Sequence, residues 1–126
     1  MLRTPLGRVR GLGSAKEGVE HWWLQRLTAL ALIPLTIWFV SSLVALAGAE
    51  HVDVVVWLRS PVVAITMILL LAVTFHHAQA GLQVVIEDYV HDEGAKIALI
   101  LAVKAAAIIA ALAGIFAVLK IALRGF

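Results

Sequence analysis

The stretch His76-His77-Ala78-Gln79-Ala80-Gly81-Leu82-Gln83-Val84-Val85-Ile86-Glu87-Asp88-Tyr89-Val90-His91 decides how the chain is read. It closes an uncharged run, residues 60–86, that is longer than the roughly 20 residues needed to cross a bilayer. Two histidines therefore lie at membrane depth. A tyrosine beside two carboxylates lies where the span leaves the membrane. Ionisable groups inside a bilayer are costly, so those that occur are functional candidates.

The rest of the chain supports that segment. Its 126 residues are 63% hydrophobic with a mean hydropathy of +1.02, too apolar for a soluble domain of this length. There is no cysteine, which excludes disulfides, thiolate metal sites and thiol catalysis. The net charge of +2 is no nucleic-acid signature, and no nucleic-acid partner is expected. The expected fold is an all-α membrane protein with three transmembrane helices, over residues 22–47, 61–87 and 95–121, forming part of a multi-subunit helix bundle. Residues 1–19 read as a basic, glycine-rich tail and residues 20–126 as the membrane domain. The tail has no apolar core of the kind a secretory signal needs, and it is short for a mitochondrial presequence. A bacterial inner-membrane protein is the simpler expectation.

Trp22 and Trp23 beside Glu20, His21 and Arg26 mark a membrane–water interface, since an indole is apolar with one polar edge. Pro34 is expected to kink the first span. Thr28, Thr36, Ser41 and Ser42 can bond back to their own helix or across to another. Residues 48–60 are expected to form a short loop, with Val54-Val55-Val56-Trp57-Leu58 along the interface and Trp57 as its anchor. Ser60-Pro61 reads as an N-cap followed by proline in the first helical position. A polar loop over residues 88–94 precedes the third span, whose alanines suit close helix packing. Lys104 within that span is read as snorkelling, or else as the partner of a carboxylate or heme propionate.

Charge sets the expected orientation. Arg3, Arg8, Arg10, Lys16, Arg26 and Lys96 fall on one side of the membrane, against Arg59, Lys120 and Arg124 on the other. The richer side is expected to be cytoplasmic, which puts the N-terminus in the cytoplasm and the C-terminus in the periplasm.

On a helix, Gly81 shares a face with His77 four residues before it, and Ala80 keeps that face small. A missing side chain one turn from an imidazole leaves room for a flat group such as a porphyrin, and imidazole is an axial heme ligand. Two readings of His77 stay open on the residues alone: heme ligation, or a structural histidine hydrogen-bonded across helices. His76 points about 100° away, so one iron cannot easily use both rings. Tyr89 lies about 18 Å along the axis from His77, at the expected cytoplasmic surface. It reads as an interfacial anchor or as a donor to a carbonyl, with Asp88 orienting it or relaying protons. Glu87, Asp92 and Glu93 read as a solvated or partner-facing acidic edge, and His91 as exposed. Arg26 reads as a positive-side anchor or as a grip on a carboxylate or propionate, with His21 near enough to assist.

The pattern His77-x3-Gly81-x-Gln83-x4-Asp88-Tyr89 on a second membrane helix resembles the hydrophobic membrane anchor subunit of succinate dehydrogenase, the small D subunit of respiratory complex II. Arg26-Leu27-Thr28-Ala29 resembles that family's Arg-x-Thr-Ala segment, and the basic tail resembles alphaproteobacterial members. The likeness covers roughly residues 20–122. It implies that His77 is one axial ligand of heme b, the other coming from a cytochrome b556 membrane subunit. It implies that Tyr89 bonds a ubiquinone carbonyl near the iron–sulfur subunit, that Asp88 supports that site, and that Arg26 lies near the heme propionates. The resemblance further implies a chain without activity of its own that docks a flavoprotein and iron–sulfur pair. His76, which doubles the histidine, and the acidic His91-Asp92-Glu93 loop depart from many members. A fumarate reductase anchor, or a non-redox structural or transport-type bundle, are the alternatives.

Overall fold

The computed structural model describes residues 5–6 and 17–124. Among them are four helices: α1 (Glu17–Ala45), α2 (His51–Arg59), α3 (Pro61–Tyr89) and α4 (Glu93–Leu123). Three stretches, Gly18–Ala45, Pro61–Tyr89 and Glu93–Leu123, are long and apolar enough to cross a membrane. The all-α, three-span fold expected from the sequence is the one that forms. Most of the tail expected over residues 1–19 lies outside the described residues.

The helix boundaries follow local chemistry. α1 runs unbroken through Pro34 and ends in a turn where Gly48 takes φ +81°, a left-handed conformation that glycine adopts without strain. Residues 51–59, expected as loop, are instead helical. The Asp53 carboxylate accepts the Glu50 N–H at 3.1 Å and so stabilises the first turn of α2. Trp57 also has a partner within the chain. It stacks on Trp38 of α1, with ring centroids 5.8 Å apart and planes 22° apart. Ser60 alone separates α2 from α3. It is the N-cap of α3 ahead of Pro61, as expected; its ψ of 126° is the extended conformation that a following proline imposes, and its side chain makes no capping bond.

The second connection is tighter than the expected loop over residues 88–94. α3 continues to Tyr89 and α4 begins at Glu93. Asp92 is the N-cap of α4, its Oδ2 accepting the Ala95 N–H at 2.9 Å, and Lys96 pairs with Glu93 at 3.5 Å. This part of the acidic edge therefore satisfies a helix start.

The spans form a row rather than a closed trio. α3 is central, packing on α1 along one edge and most extensively on α4 along the other, while α1 and α4 make no close backbone approach. Gly114 of α4 lets the helices meet: a Cβ there would lie 3.1 Å from Leu71 Cδ1 of α3. α2 packs across the ends of α3 and α4, where Arg59 donates to the Arg124 carbonyl. Among the described residues only Leu35, Ala64, Leu70, Ala80 and Val118 are buried. With so few buried groups among the described residues, there is no core that could hold the helices together in water, and the apolar surface must be covered by lipid or by other protein.

Candidate functional site

Three polar side chains of α1 share one face. His21, Gln25 and Thr28 stand at i, i+4 and i+7 in a mostly apolar helix, and this stripe meets α3. The Gln25 amide donates to the His77 carbonyl at 3.4 Å. Thr28 Oγ1 lies 3.0 Å from His77 Nδ1. His77 is half-buried against α1, and its Nε2 makes no hydrogen bond among the described residues.

Gly81 lies on this same edge. A Cβ there would come within 3.3 Å of Gln25 Nε2. The Gln25 amide stands beside the glycine, the one neighbour that close among the described residues. The glycine's immediate packing role is thus to let α1 approach α3. Two atoms of the stripe, His21 Nε2 and Gln25 Oε1, are buried without a partner among the described residues. Buried polar atoms without partners are uncommon and costly, so polar company is expected at this point.

His76 points elsewhere, as the 100° step between neighbours requires. With Gln79 of α3 and Lys104 of α4 it lines an open cleft of about 370 Å³, otherwise walled by Phe75, Ala107, Ile108 and other apolar groups. From Gln79 a ladder climbs toward the end of α3: Gln79 Nε2 donates to Gln83 Oε1 at 3.1 Å, and Gln83 Nε2 to Glu87 Oε1 at 3.0 Å. At about 100° per residue, His76, Gln79, Gln83 and Glu87 fall on one long side of α3, while Ala78 and Val85 fall on the other. One open side of the row is therefore polar at membrane depth and the other apolar.

The end of α3 is open. Tyr89 is its last residue and is 78% exposed, with Asp88 and His91 exposed beside it. Arg26 is not brought to His77. It lies about 160° around α1 from Thr28 and stacks over Trp22, its guanidinium carbon 4.4 Å from the ring centroid. Among the described residues no cluster of three or more His, Cys, Asp or Glu side chains is placed to hold a metal by itself. Any metal at His77 thus needs ligands from outside these residues.

The family model described as succinate dehydrogenase/fumarate reductase transmembrane subunit matches residues 1–111. The chain belongs to that family. Among similar curated proteins, the succinate dehydrogenase hydrophobic membrane anchor subunit of Rickettsia bellii (strain RML369-C) is 35% identical over 117 residues, covering 92% of this chain and 93% of that one. The equivalent subunit of Paracoccus denitrificans is 31% identical over 100 residues, covering 79% of this chain and 78% of its own. The succinate dehydrogenase membrane anchor subunit of Reclinomonas americana is 29% identical over 96 residues, covering 74% and 80% respectively. No solved structure matches the chain. As a succinate dehydrogenase-type transmembrane subunit, the chain is a multi-pass membrane anchor and not itself the catalyst.

Two groups at the site are not singled out by the sequence: Thr28 reads there only as a generic helix hydroxyl, and Gln25 carries no expectation. The signal was the i, i+4, i+7 spacing of His21, Gln25 and Thr28, which marks a polar face in an apolar span. The Gln79–Gln83–Glu87 ladder carries the same kind of signal on α3.

Proposed function

We propose that this chain fastens a succinate-oxidising flavoprotein and iron–sulfur pair to the bacterial inner membrane, gives one axial ligand to a heme b, and forms part of a ubiquinone site. The observation that carries the heme reading is His77: an imidazole at membrane depth, held by α1 through Nδ1, with Nε2 unengaged among the described residues. That donor set fits one side of a heme iron, and His77 would hold the group through Nε2. Bound there, heme b supplies a one-electron carrier. The second ligand then comes from another membrane chain, a cytochrome b556-type subunit. The polar side of α3 supports such a neighbour, because glutamines and a histidine at that depth are better covered by protein than by lipid.

Tyr89 and Asp88 serve the quinone. The phenol donates to a quinone carbonyl, and Asp88 orients the hydroxyl or passes protons as the carbonyl is reduced. Their exposure supports a site completed by the iron–sulfur subunit. Of the α1 groups, His21 lies on the His77 side. Arg26, stacked on Trp22, fits a charge anchor at the membrane surface better than a partner of His77. The lysine and arginine balance supports a cytoplasmic N-terminus and a periplasmic C-terminus. A reporter fused after Gly94 should then be active only in its cytoplasmic form; periplasmic activity would reverse the orientation. The curated relatives described above are named for succinate dehydrogenase, which favours that enzyme over a fumarate reductase. The test of the reading is the reduced-minus-oxidised spectrum of the complex purified through a tag on this chain. A b-type band is expected, and its absence from a fully assembled complex would remove the heme from the account.

A further inference from the structure

We infer that Thr28 is a positioning residue for His77: its hydroxyl oxygen accepts the Nδ1 proton of the ring, fixing the tautomer whose Nε2 lone pair is free to coordinate iron. This rests on the heme reading above and adds the residue that prepares the ligand.

The argument is a count of one proton. A threonine hydroxyl carries a single hydrogen and two lone pairs. Thr28 Oγ1 lies 2.7 Å from the Leu24 carbonyl oxygen and 3.1 Å from that of Gln25. Neither carbonyl can donate. Two oxygens at 2.7 Å repel unless a hydrogen lies between them, so the hydroxyl proton is directed into its own helix. Toward His77 Nδ1, 3.0 Å away, Oγ1 has only lone pairs to offer. The contact is a hydrogen bond only if Nδ1 carries the proton and donates it. In a neutral imidazole Nε2 is then the acceptor and the atom that binds metal.

Position strengthens the case. Thr28 is held by its own backbone bonds, and Gln25 one turn earlier grips the His77 main chain. Ring and backbone of His77 are therefore tied to the same face of α1. A metal-ligating histidine commonly donates its second nitrogen to an oxygen acceptor, which fixes the ring and raises its basicity. Here a neutral hydroxyl already committed as a donor takes that part. His76, beside Gln79 and Lys104 in the α3–α4 cleft, makes no such side-chain hydrogen bond among the described residues.

The test uses the assembled complex carrying Thr28→Val, which keeps the shape and removes the hydroxyl, and Thr28→Ser, which restores it. Loss of the acceptor makes the ring a weaker donor to iron and disfavours the oxidised state. In Thr28→Val the heme midpoint potential should move in the positive direction and the ferric EPR g-values should shift. In Thr28→Ser both should return toward those of the unmodified complex. On the unmodified complex, hyperfine spectroscopy in H2O and D2O should find an exchangeable proton on the remote nitrogen of the His77 ring, a readout that stands even where Thr28→Val fails to assemble. Unchanged potential and g-values in Thr28→Val, or no proton on Nδ1, would overturn the role of Thr28 while leaving heme ligation intact. A b-type spectrum that survives His77→Ala would instead overturn the heme reading and this inference with it.

Discussion

Replacing His77 by alanine should abolish the b-type spectrum of the purified complex, while replacing His76 should leave most of it. The two side chains are neighbours in sequence but not in space. His77 is seated on α1 through Thr28 and Gln25, and His76 opens into the cleft shared with Lys104. Removing a group that merely orients a metal ligand weakens binding by about 10–100-fold, so loss of the ligand itself should lower heme content by about tenfold or more. The cost is not confined to cofactor. His77→Ala also leaves Thr28 Oγ1 without its partner from α3, so the α1–α3 edge should loosen. His76→Ala has no such effect on that edge. Heme content per complex, read from the reduced-minus-oxidised band, decides between the two rings. If His76→Ala alone removes the band, the ligand has been assigned to the wrong face of α3.

Quinone reduction should fall by roughly three-fold to tenfold in Tyr89→Phe, with succinate oxidation by an artificial acceptor nearly unchanged. The substitution deletes one hydroxyl from a side chain that is 78% exposed at the end of α3, so it disturbs little packing within this chain. A hydrogen bond contributes on the order of 0.5–1.5 kcal/mol net, and more where it meets developing negative charge. About 1.4 kcal/mol corresponds to one decade in rate, which sets the upper figure. The artificial acceptor bypasses the defect because flavin and clusters belong to other chains in the proposed assembly. Heme absorbance should survive too, since Tyr89 lies about 18 Å along the helix from His77. Asp88→Asn is expected to weaken the same step. Wild-type quinone turnover and inhibitor affinity in an assembled Tyr89→Phe complex would reduce Tyr89 to an interfacial anchor.

These expectations differ in how much of them could be read before the structure. The spans were legible because a bilayer demands long uncharged helices, and residues 60–86 satisfy that demand by length alone. α2 was not legible, although Glu50 and Asp53 carried the signal. Val54-Val55-Val56-Trp57-Leu58 reads as a loop stretch along the interface, and the stacking of Trp57 on Trp38 depends on another helix. Glu93 and Asp92 read as a loose acidic edge because an N-cap is recognisable only once the helix start is fixed to the residue.

The site divides in the same way. The separation of His76 from His77 follows from helix geometry, and so does the distance to Tyr89. What a single helix cannot reveal is its neighbour. The glycine at position 81 signals a close approach, but not that the approaching group is the Gln25 amide. Thr28 signals a hydroxyl in a membrane helix, but not that an imidazole from 49 positions away lies on it. Those facts depend on the α1–α3 register, and the row arrangement that creates it has no period in the sequence.

Deleting this chain and locating the succinate-oxidising activity tests the anchoring role most directly. With an artificial acceptor, the activity should leave the membrane fraction and appear in the soluble one, while succinate-dependent quinone reduction by membranes disappears. Activity that stays membrane-bound and quinone-coupled without this chain would contradict the account.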